Sequence, residues 1–325
     1  MERLLQGMRA VSEPTRLRIL VLCAHGELTV SEIVQILGQS QPRVSRHLKL
    51  LVDVGLLQRN REGSWSFYRM INEGRLQGFL DAIIDMVPAD DPIIRLDLRR
   101  LEEVKAHRSK LANEYFRRNA DNWSQIRALH IDETEVDQAL RRLLLRSRPQ
   151  RLLDIGTGTG HILEIAGADV QDAVGIDTSH EMLSVARDRL DRAALPNCQV
   201  RQADMYHLPF DNGQFDAVTV HMVLHYADQP ADVIREASRV LSSNGRIVVV
   251  DFAPHELEVM REDHAHRWLG FADGDIERHF EAAGLVPEQP VHLGGGPLTV
   301  SLWAASRPAN DQSNAAESET EAQLA

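Results

Sequence analysis

The most constraining feature of this chain is Arg151-Leu152-Leu153-Asp154-Ile155 running directly into Gly156-Thr157-Gly158-Thr159-Gly160. The apolar run reads as a strand, and His161 to Ala166 then open a helix. Glycine at every second position lets the backbone pass beneath a ligand where a Cβ would collide. Strand, glycine turn and helix together open a wound α/β sheet. The spacing narrows the ligand. A dinucleotide fingerprint requires G-x-G-x-x-G, but the third residue after Gly158 is His161. A P-loop is excluded because no Gly-Lys-Ser/Thr follows.

The alternation of strands and helices continues to about Arg307. Val174-Gly175-Ile176-Asp177 is a second strand ending in an acid, and a carboxylate there can grip both hydroxyls of a ribose. Gln199 to Met205 forms a third strand whose acid, Asp204, suits an adenine amino group. Asp211-Asn212-Gly213 turns into Phe215–Val220, and Asn244-Gly245 turns into Arg246–Asp251. A lone G-x-G-x-G is weak evidence. Five strands in register, with acids closing the second and third, are strong.

Over about residues 148–306 these motifs resemble the class I S-adenosylmethionine-dependent methyltransferases. The resemblance implies that Asp154 and the loop residues Gly156, Thr157, Gly158 and Gly160 hold the methionine portion of the cofactor. It implies that Asp177 holds the ribose, that Asp204 and Met205 flank the adenine, and that His221, after the fourth strand, lies near the ligand. Tyr115–Leu129, with Trp123 and Arg127, sits where such enzymes carry a lid.

The other end of the chain has a different texture. Val11 to Leu20 begins a helix, with Pro14 tolerated in its first turn. Thr29-Val30-Ser31-Glu32 is a capping box ahead of Ile33, Val34 and Leu37, and Gly38 ends that helix. Ser40 caps the next, which carries Val44, His47, Leu48 and Leu51. Two helices around a glycine turn make a helix-turn-helix candidate. The second presents Gln41, Arg43, Ser45, Arg46 and Lys49, side chains suited to base edges and phosphates. Leu56–Arg59 and Trp65–Arg69 read as the strands of a wing joined by a turn over residues 60–64, with Arg59, Arg61 and Arg69 expected to reach phosphates.

Ser12 to Leu20, Ser40 to Leu51 and Gly55-Leu56-Leu57 resemble the ArsR/SmtB repressors over roughly residues 5–85. That resemblance implies a homodimer on an inverted-repeat operator of double-stranded DNA. Metal-sensing relatives often carry a Cys-x-Cys pair where this chain has Thr29 and Ser31. Hydroxyls are poor ligands for soft cations, so no metal site is assigned. The fold class expected is therefore an α+β winged helix-turn-helix domain (1–86), a helical connector and lid (87–147), an α/β Rossmann-like class I methyltransferase domain (148–307) and a polar, disordered tail (308–325).

Charge supports this division. The chain carries a net charge of -12, yet residues 1–75 hold 11 Arg or Lys against 7 Asp or Glu. The remainder holds 25 against 41, an acidic body that would repel DNA. No run approaches the roughly 20 apolar residues of a membrane span, and the N-terminus lacks a secretory core. Cys23 and Cys198 cannot build a disulfide framework. A cytoplasmic protein away from membranes is expected.

Two functions follow. In one, implied by the resemblance of this layout to proteobacterial ArsR-type regulators of methionine-cycle genes, a DNA-binding regulator takes S-adenosylmethionine or S-adenosylhomocysteine as effector. In the other, an active small-molecule methyltransferase controls its own operon. Methyl transfer to a good nucleophile needs little beyond positioning, so the lack of a catalytic motif decides nothing. No catalytic residue is assigned. The acceptor-side candidates are His221, His225, Tyr226, His255, His264, His266 and Trp268, and they read first as groups around a pocket. His221 and His225 share a face if their segment is helical. Methylation of arsenic needs several thiols, and only Cys198 lies in this domain.

Overall fold

The computed structural model describes residues 2–62, 65–71, 76–108, 133–262, 266–294 and 298–309. The lid expected at Tyr115–Leu129, His264 and the tail beyond 309 lie outside these residues.

The N-terminal elements are α1 (Glu2–Val11), α2 (Pro14–Ala24), β1 (Leu28–Thr29), α3 (Val30–Leu37), α4 (Gln41–Val54), β2 (Leu57–Glu62), β3 (Trp65–Met70) and α5 (Gln77–Asp85). A helix over 92–108, α6, follows. Then come α7 (Glu133–Leu144), β4 (Arg151–Ile155), α8 (His161–Ala166), β5 (Asp172–Asp177), α9 (His180–Arg192), β6 (Cys198–Gln202) and β7 (Phe215–His221). The chain continues through α10 (Pro230–Val240), β8 (Leu241–Phe252), α11 (Val259–Glu262), α12 (Asp273–Ala282), β9 (Val286–Pro287), β10 (Val291–Leu293) and β11 (Val300–Ser306). These elements divide into two compact units. One comprises Met1–Ala120, Gly158–Glu164 and Ser179–Gln202, and the other Asp121–Thr157, Ile165–Thr178 and Ala203–Ala325.

In the first unit the predicted signals position the helices. Thr29 Oγ1 accepts from the Glu32 amide at 3.3 Å while the Thr29 amide donates to Glu32 Oε2 at 2.7 Å, a closed capping box. Gly38 and Gly55 end α3 and α4 in the left-handed region. Ser40 occupies the N-cap of α4 without the side-chain hydrogen bond expected of it. Ile19, Leu22, Ile33, Ile36, Leu48 and Leu51 are fully buried in one core, joined by Leu101 and Val104 of α6. Burial of each such side chain contributes about 1.5–3 kcal/mol. Helix α6 is also held by charge. Arg18 donates two hydrogen bonds to the buried Asp97 at 2.6 and 2.7 Å, and Arg100 caps α3 through the Ile36 carbonyl at 2.8 Å. The strands follow the order β1-β3-β2, the hairpin of a winged helix.

In the second unit the strands run β10-β11-β8-β7-β4-β5, with β9 paired to β11. β4 is parallel to both β5 and β7, and β7 to β8. Strands covered on both faces read as continuous apolar runs, as Leu153, Ile155, Val174, Ile176, Val218, Val220, Ile247 and Val249 do, all nearly or fully inaccessible. Asn244, at φ 62°, makes the predicted turn, and regular pairing resumes where Ala217 faces Arg246. Sequence reasoning did not anticipate the antiparallel strands β9, β10 and β11, two of which are only two or three residues long.

Candidate functional site

On α4, burial of Val44, Leu48 and Leu51 turns Gln41, Arg43, Ser45, Arg46 and Lys49 outward, together with Ser40 at its start. The wing divides the three predicted arginines. Arg59 faces Tyr68 and Arg61 faces Ser66 across the hairpin, whereas Arg69 faces Gln58. Side chains alternate along a strand, so Arg69 belongs to the opposite face. Arg59 and Arg61 are exposed, but Arg69 is 4% exposed and shares no open surface with them.

The inner face of the wing carries a buried polar network. Arg187 of α9 reaches Glu27 Oε2 at 3.4 Å and the Val200 carbonyl at 3.2 Å, and its guanidinium lies 3.7 Å over the Phe67 ring. Asn60 of β2 donates to Glu27 Oε1 at 3.1 Å and to Gln199 Oε1 of β6 at 3.3 Å. Nearby, Arg108 of α6 grips both oxygens of Glu32 at 2.7 and 2.8 Å and donates to the Glu27 carbonyl at 2.9 Å. Burial works against ionisation of Glu32, but Arg108 and the Thr29 hydrogen bonds hold its carboxyl below the ordinary value. Sequence reasoning missed Glu27, Arg187 and Gln199, which no motif marks.

In the second unit, β4, β5 and β7 end at one edge. Asp154 is level with Gly175 and Thr219, and Asp177 and His221 close β5 and β7. The chain leaves β4 towards β5 and later returns to the other side of β4 as β7. Crevices at such reversals are the usual ligand sites of open α/β sheets. Asp154 is 1% exposed, and Thr219 donates to its Oδ1 at 2.6 Å. Gly156 has φ 73°, and a Cβ there would meet the Val223 side chain at 2.6 Å, so both backbone and packing require glycine. The Thr157 amide donates to the Ile176 carbonyl at 2.8 Å, which ties the loop to β5. The Thr157 hydroxyl is buried with no hydrogen-bond partner among the described residues.

Gly158 and Gly160, in the first unit, also have positive φ, 51° and 77°. A Cβ at Gly160 would press on Ala186 of α9 at 3.0 Å. Asp177 is half-buried, and its carbonyl accepts from the Ala203 amide at 3.1 Å. Asp204 is exposed, with Oδ1 accepting from the Tyr206 amide at 3.0 Å, and Met205 packs partly against the core.

The segment after His221 departs from the helical alternative. Met222 has φ 52°, and only a short 3-10 turn, Leu224–Tyr226, follows. His221 and His225 therefore share no α-helical face. Among the described residues no group of three or more His, Cys, Asp or Glu is arranged to hold a metal ion. His225 pairs with Asp251, the last acid of β8, through Nδ1 at 2.8 Å. Asp251 also accepts from the amides of His225 at 3.1 Å and Phe252 at 2.8 Å. The acid was visible at the strand end, but its pairing with a histidine 26 residues earlier was not.

Residues 13–59 match the family described as bacterial regulatory protein, arsR family, and residues 153–249 the family described as methyltransferase domain. The relatives include an uncharacterized methyltransferase, YcgJ, of Bacillus subtilis (strain 168), 34% identical over 107 residues, or 33% of this chain and 42% of the relative. A demethylmenaquinone methyltransferase of Thermus thermophilus is 33% identical over 154 residues, 45% of this chain and 68% of the relative. A second, of Thermotoga maritima, is 31% identical over 156 residues, 46% of this chain and 66% of the relative. This chain thus spans less than half the length of the first relative and about two thirds of the other two. Among the described residues no helix is long and apolar enough to cross a membrane. The chain belongs to the class I methyltransferases and carries an ArsR-family helix-turn-helix domain ahead of its methyltransferase domain.

Proposed function

We propose that this protein is a DNA-binding transcriptional regulator whose methyltransferase domain takes S-adenosylmethionine or S-adenosylhomocysteine as effector. Asp154, Gly156, Thr157, Asp177, Asp204, Met205 and His221 would hold that ligand, with Gly158 and Gly160 shaping the same loop. A carboxylate at Asp177 suits a ribose diol, and the Thr157 hydroxyl, without a partner among the described residues, suits a polar ligand atom. The regulated genes are those of the methionine cycle. The protein would act as a homodimer on an inverted repeat, read by Arg43, Arg46 and their neighbours on α4, with Arg59 and Arg61 on phosphates. Leu4, Leu5 and Met8 on α1 are 38%, 43% and 47% exposed, apolar surface of the kind a second copy would cover.

The observation that carries a regulatory rather than a merely tethered reading is the buried network at the wing. α9 starts three residues after Asp177, and β6 ends two residues before Asp204. Both elements are bonded to the wing through Arg187 and Gln199. A ligand that shifts either element therefore acts on the hairpin that bears Arg59 and Arg61. The test is selection of genomic fragments by the purified full chain, with footprinting, and calorimetry with each adenosyl ligand. A protected inverted repeat with half-sites roughly 10 base pairs apart is expected, together with saturable binding of at least one ligand. Binding of neither ligand at millimolar concentration refutes the ligand assignment.

A second reading, transfer of the methyl group to a small molecule, is favoured by the buried His225–Asp251 pair. The relatives named above are methyltransferases.

A further inference from the structure

The second unit places a carboxylate–imidazole pair on the turn that follows β7. His225 is 2% and Asp251 0% exposed. Asp251 already accepts two backbone amides, so it is an acceptor throughout, and the 2.8 Å contact makes His225 Nδ1 the donor. The lone pair of the neutral ring then sits on Nε2. That nitrogen is buried with no hydrogen-bond partner among the described residues. The turn is also held in an unusual backbone state, with Met222 at φ 52° and Val223 filling the space beside Gly156. His266 stacks on His225 at 3.9 Å between ring centroids, and Tyr226 lies at 4.1 Å. Tyr226 and Trp268 are 40% and 41% exposed, and the amides of Arg267 and Trp268 both donate to the His225 carbonyl. Open aromatic surface therefore flanks the buried base.

We propose that His225 Nε2 accepts the proton of a methyl acceptor, with Asp251 orienting the ring and offsetting its charge, and that the acceptor is an aromatic hydroxyl stacked on Tyr226 and Trp268. The proposal rests on the reading that the domain binds S-adenosylmethionine. In the step, a lone pair of the acceptor oxygen forms a bond to the methyl carbon. The carbon–sulfur bond breaks, its electron pair goes to the sulfonium sulfur, and the product is neutral S-adenosylhomocysteine. The hydroxyl proton moves to Nε2, and the imidazolium is stabilised by the Asp251 carboxylate. A thiolate acceptor is already ionised and would need no such base, whereas a protic, weakly nucleophilic oxygen does. The other titratable groups around His225 are His255, Tyr226 and His266. Burial lowers the His255 pKa despite Asp251 nearby.

The test uses the full chain, tritium-labelled S-adenosylmethionine and 1-naphthol as the acceptor probe. Transfer is expected, rising with pH to a plateau because the acceptor proton must be taken up. His225→Gln should lower kcat by about 10²–10⁴-fold and remove that pH limb, while S-adenosylhomocysteine affinity stays within twofold. Asp251→Asn should lower kcat less and displace the limb. Transfer by wild type that is flat with pH, or a limb that survives in His225→Gln, overturns the proposal. Should His225→Gln fail to fold, the wild-type and Asp251→Asn profiles decide in the same way. Calorimetry separates the two levels. Absence of adenosyl-ligand binding removes the reading beneath the proposal, whereas binding without transfer to 1-naphthol overturns the proposal alone.

Discussion

Replacing Arg187 by Met tests whether the wing network transmits anything. The change removes the 3.4 Å ion pair with Glu27, the 3.2 Å hydrogen bond to Val200 and the cation over Phe67. Both charged side chains are buried, at 6% and 8% exposure. Breaking one partner of a buried pair typically costs about 3–5 kcal/mol because the other charge is left unpaired. Here Glu27 keeps the Asn60 amide at 3.1 Å, and Met refills part of the volume, which places the cost near 3 kcal/mol. Adding Glu27→Gln removes the stranded charge, so the double variant should recover roughly 1–2 kcal/mol as a coupling energy. Urea unfolding of all four combinations measures this cycle. The double variant is then titrated with operator in the presence and absence of S-adenosylhomocysteine, at a temperature where the urea series shows it folded. Ligand and operator should have become independent, with coupling reduced to about 0.3–0.5 kcal/mol. A single variant as stable as wild type, or undiminished coupling in the double variant, would refute the reasoning.

Four further outcomes are expected. Gly156→Ala meets both a positive φ, which costs an L-residue about 1–2 kcal/mol, and the Val223 side chain, so calorimetry should show at least roughly tenfold weaker adenosyl-ligand binding. Asp177→Asn removes a charged acceptor and should weaken binding by about 1.5–3 kcal/mol. Arg43→Ala or Arg46→Ala should cost about 1–3 kcal/mol of operator affinity, while Arg59→Ala and Arg61→Ala each flatten the salt slope by about one and Arg69→Ala leaves it unchanged. Glu32 has a folded pKa below its ordinary 4.5, so its stabilising contribution is present above that value and lost as pH falls through the lower folded one; Glu32→Gln should flatten this acid limb in a urea–pH series.

Local signals were legible in the sequence because their causes are local. The Thr29–Glu32 box, Gly38, the Asn244-Gly245 turn and the glycine loop each act within a few residues, and each sits where the spacing put it. The acids Asp154 and Asp177 followed from strand ends in the same way. The face of Arg69 was legible too, since it lies two residues after Phe67 in a two-residue period, but grouping the wing arginines by charge hid it. Other features depend on partners far along the chain. Asp97 against Arg18, Arg187 against Glu27 and His225 against Asp251 are separated by 79, 160 and 26 residues. Nothing in the composition of those stretches marks one of several Arg or Asp residues as buried. Met222 and Val223, which shape the turn beside Gly156, read as ordinary apolar residues after a strand.

The central claim is that one chain couples an adenosyl ligand to DNA. Operator affinity of the full protein, measured without ligand and with saturating S-adenosylmethionine or S-adenosylhomocysteine, tests it directly. At least one ligand should change the operator Kd by about 5–150-fold, the span of an ordinary coupling of about 1–3 kcal/mol. Operator should then change the affinity for that ligand by the same factor. Superimposable curves under all three conditions would contradict the account and leave the methyltransferase domain merely tethered to a DNA-binding one.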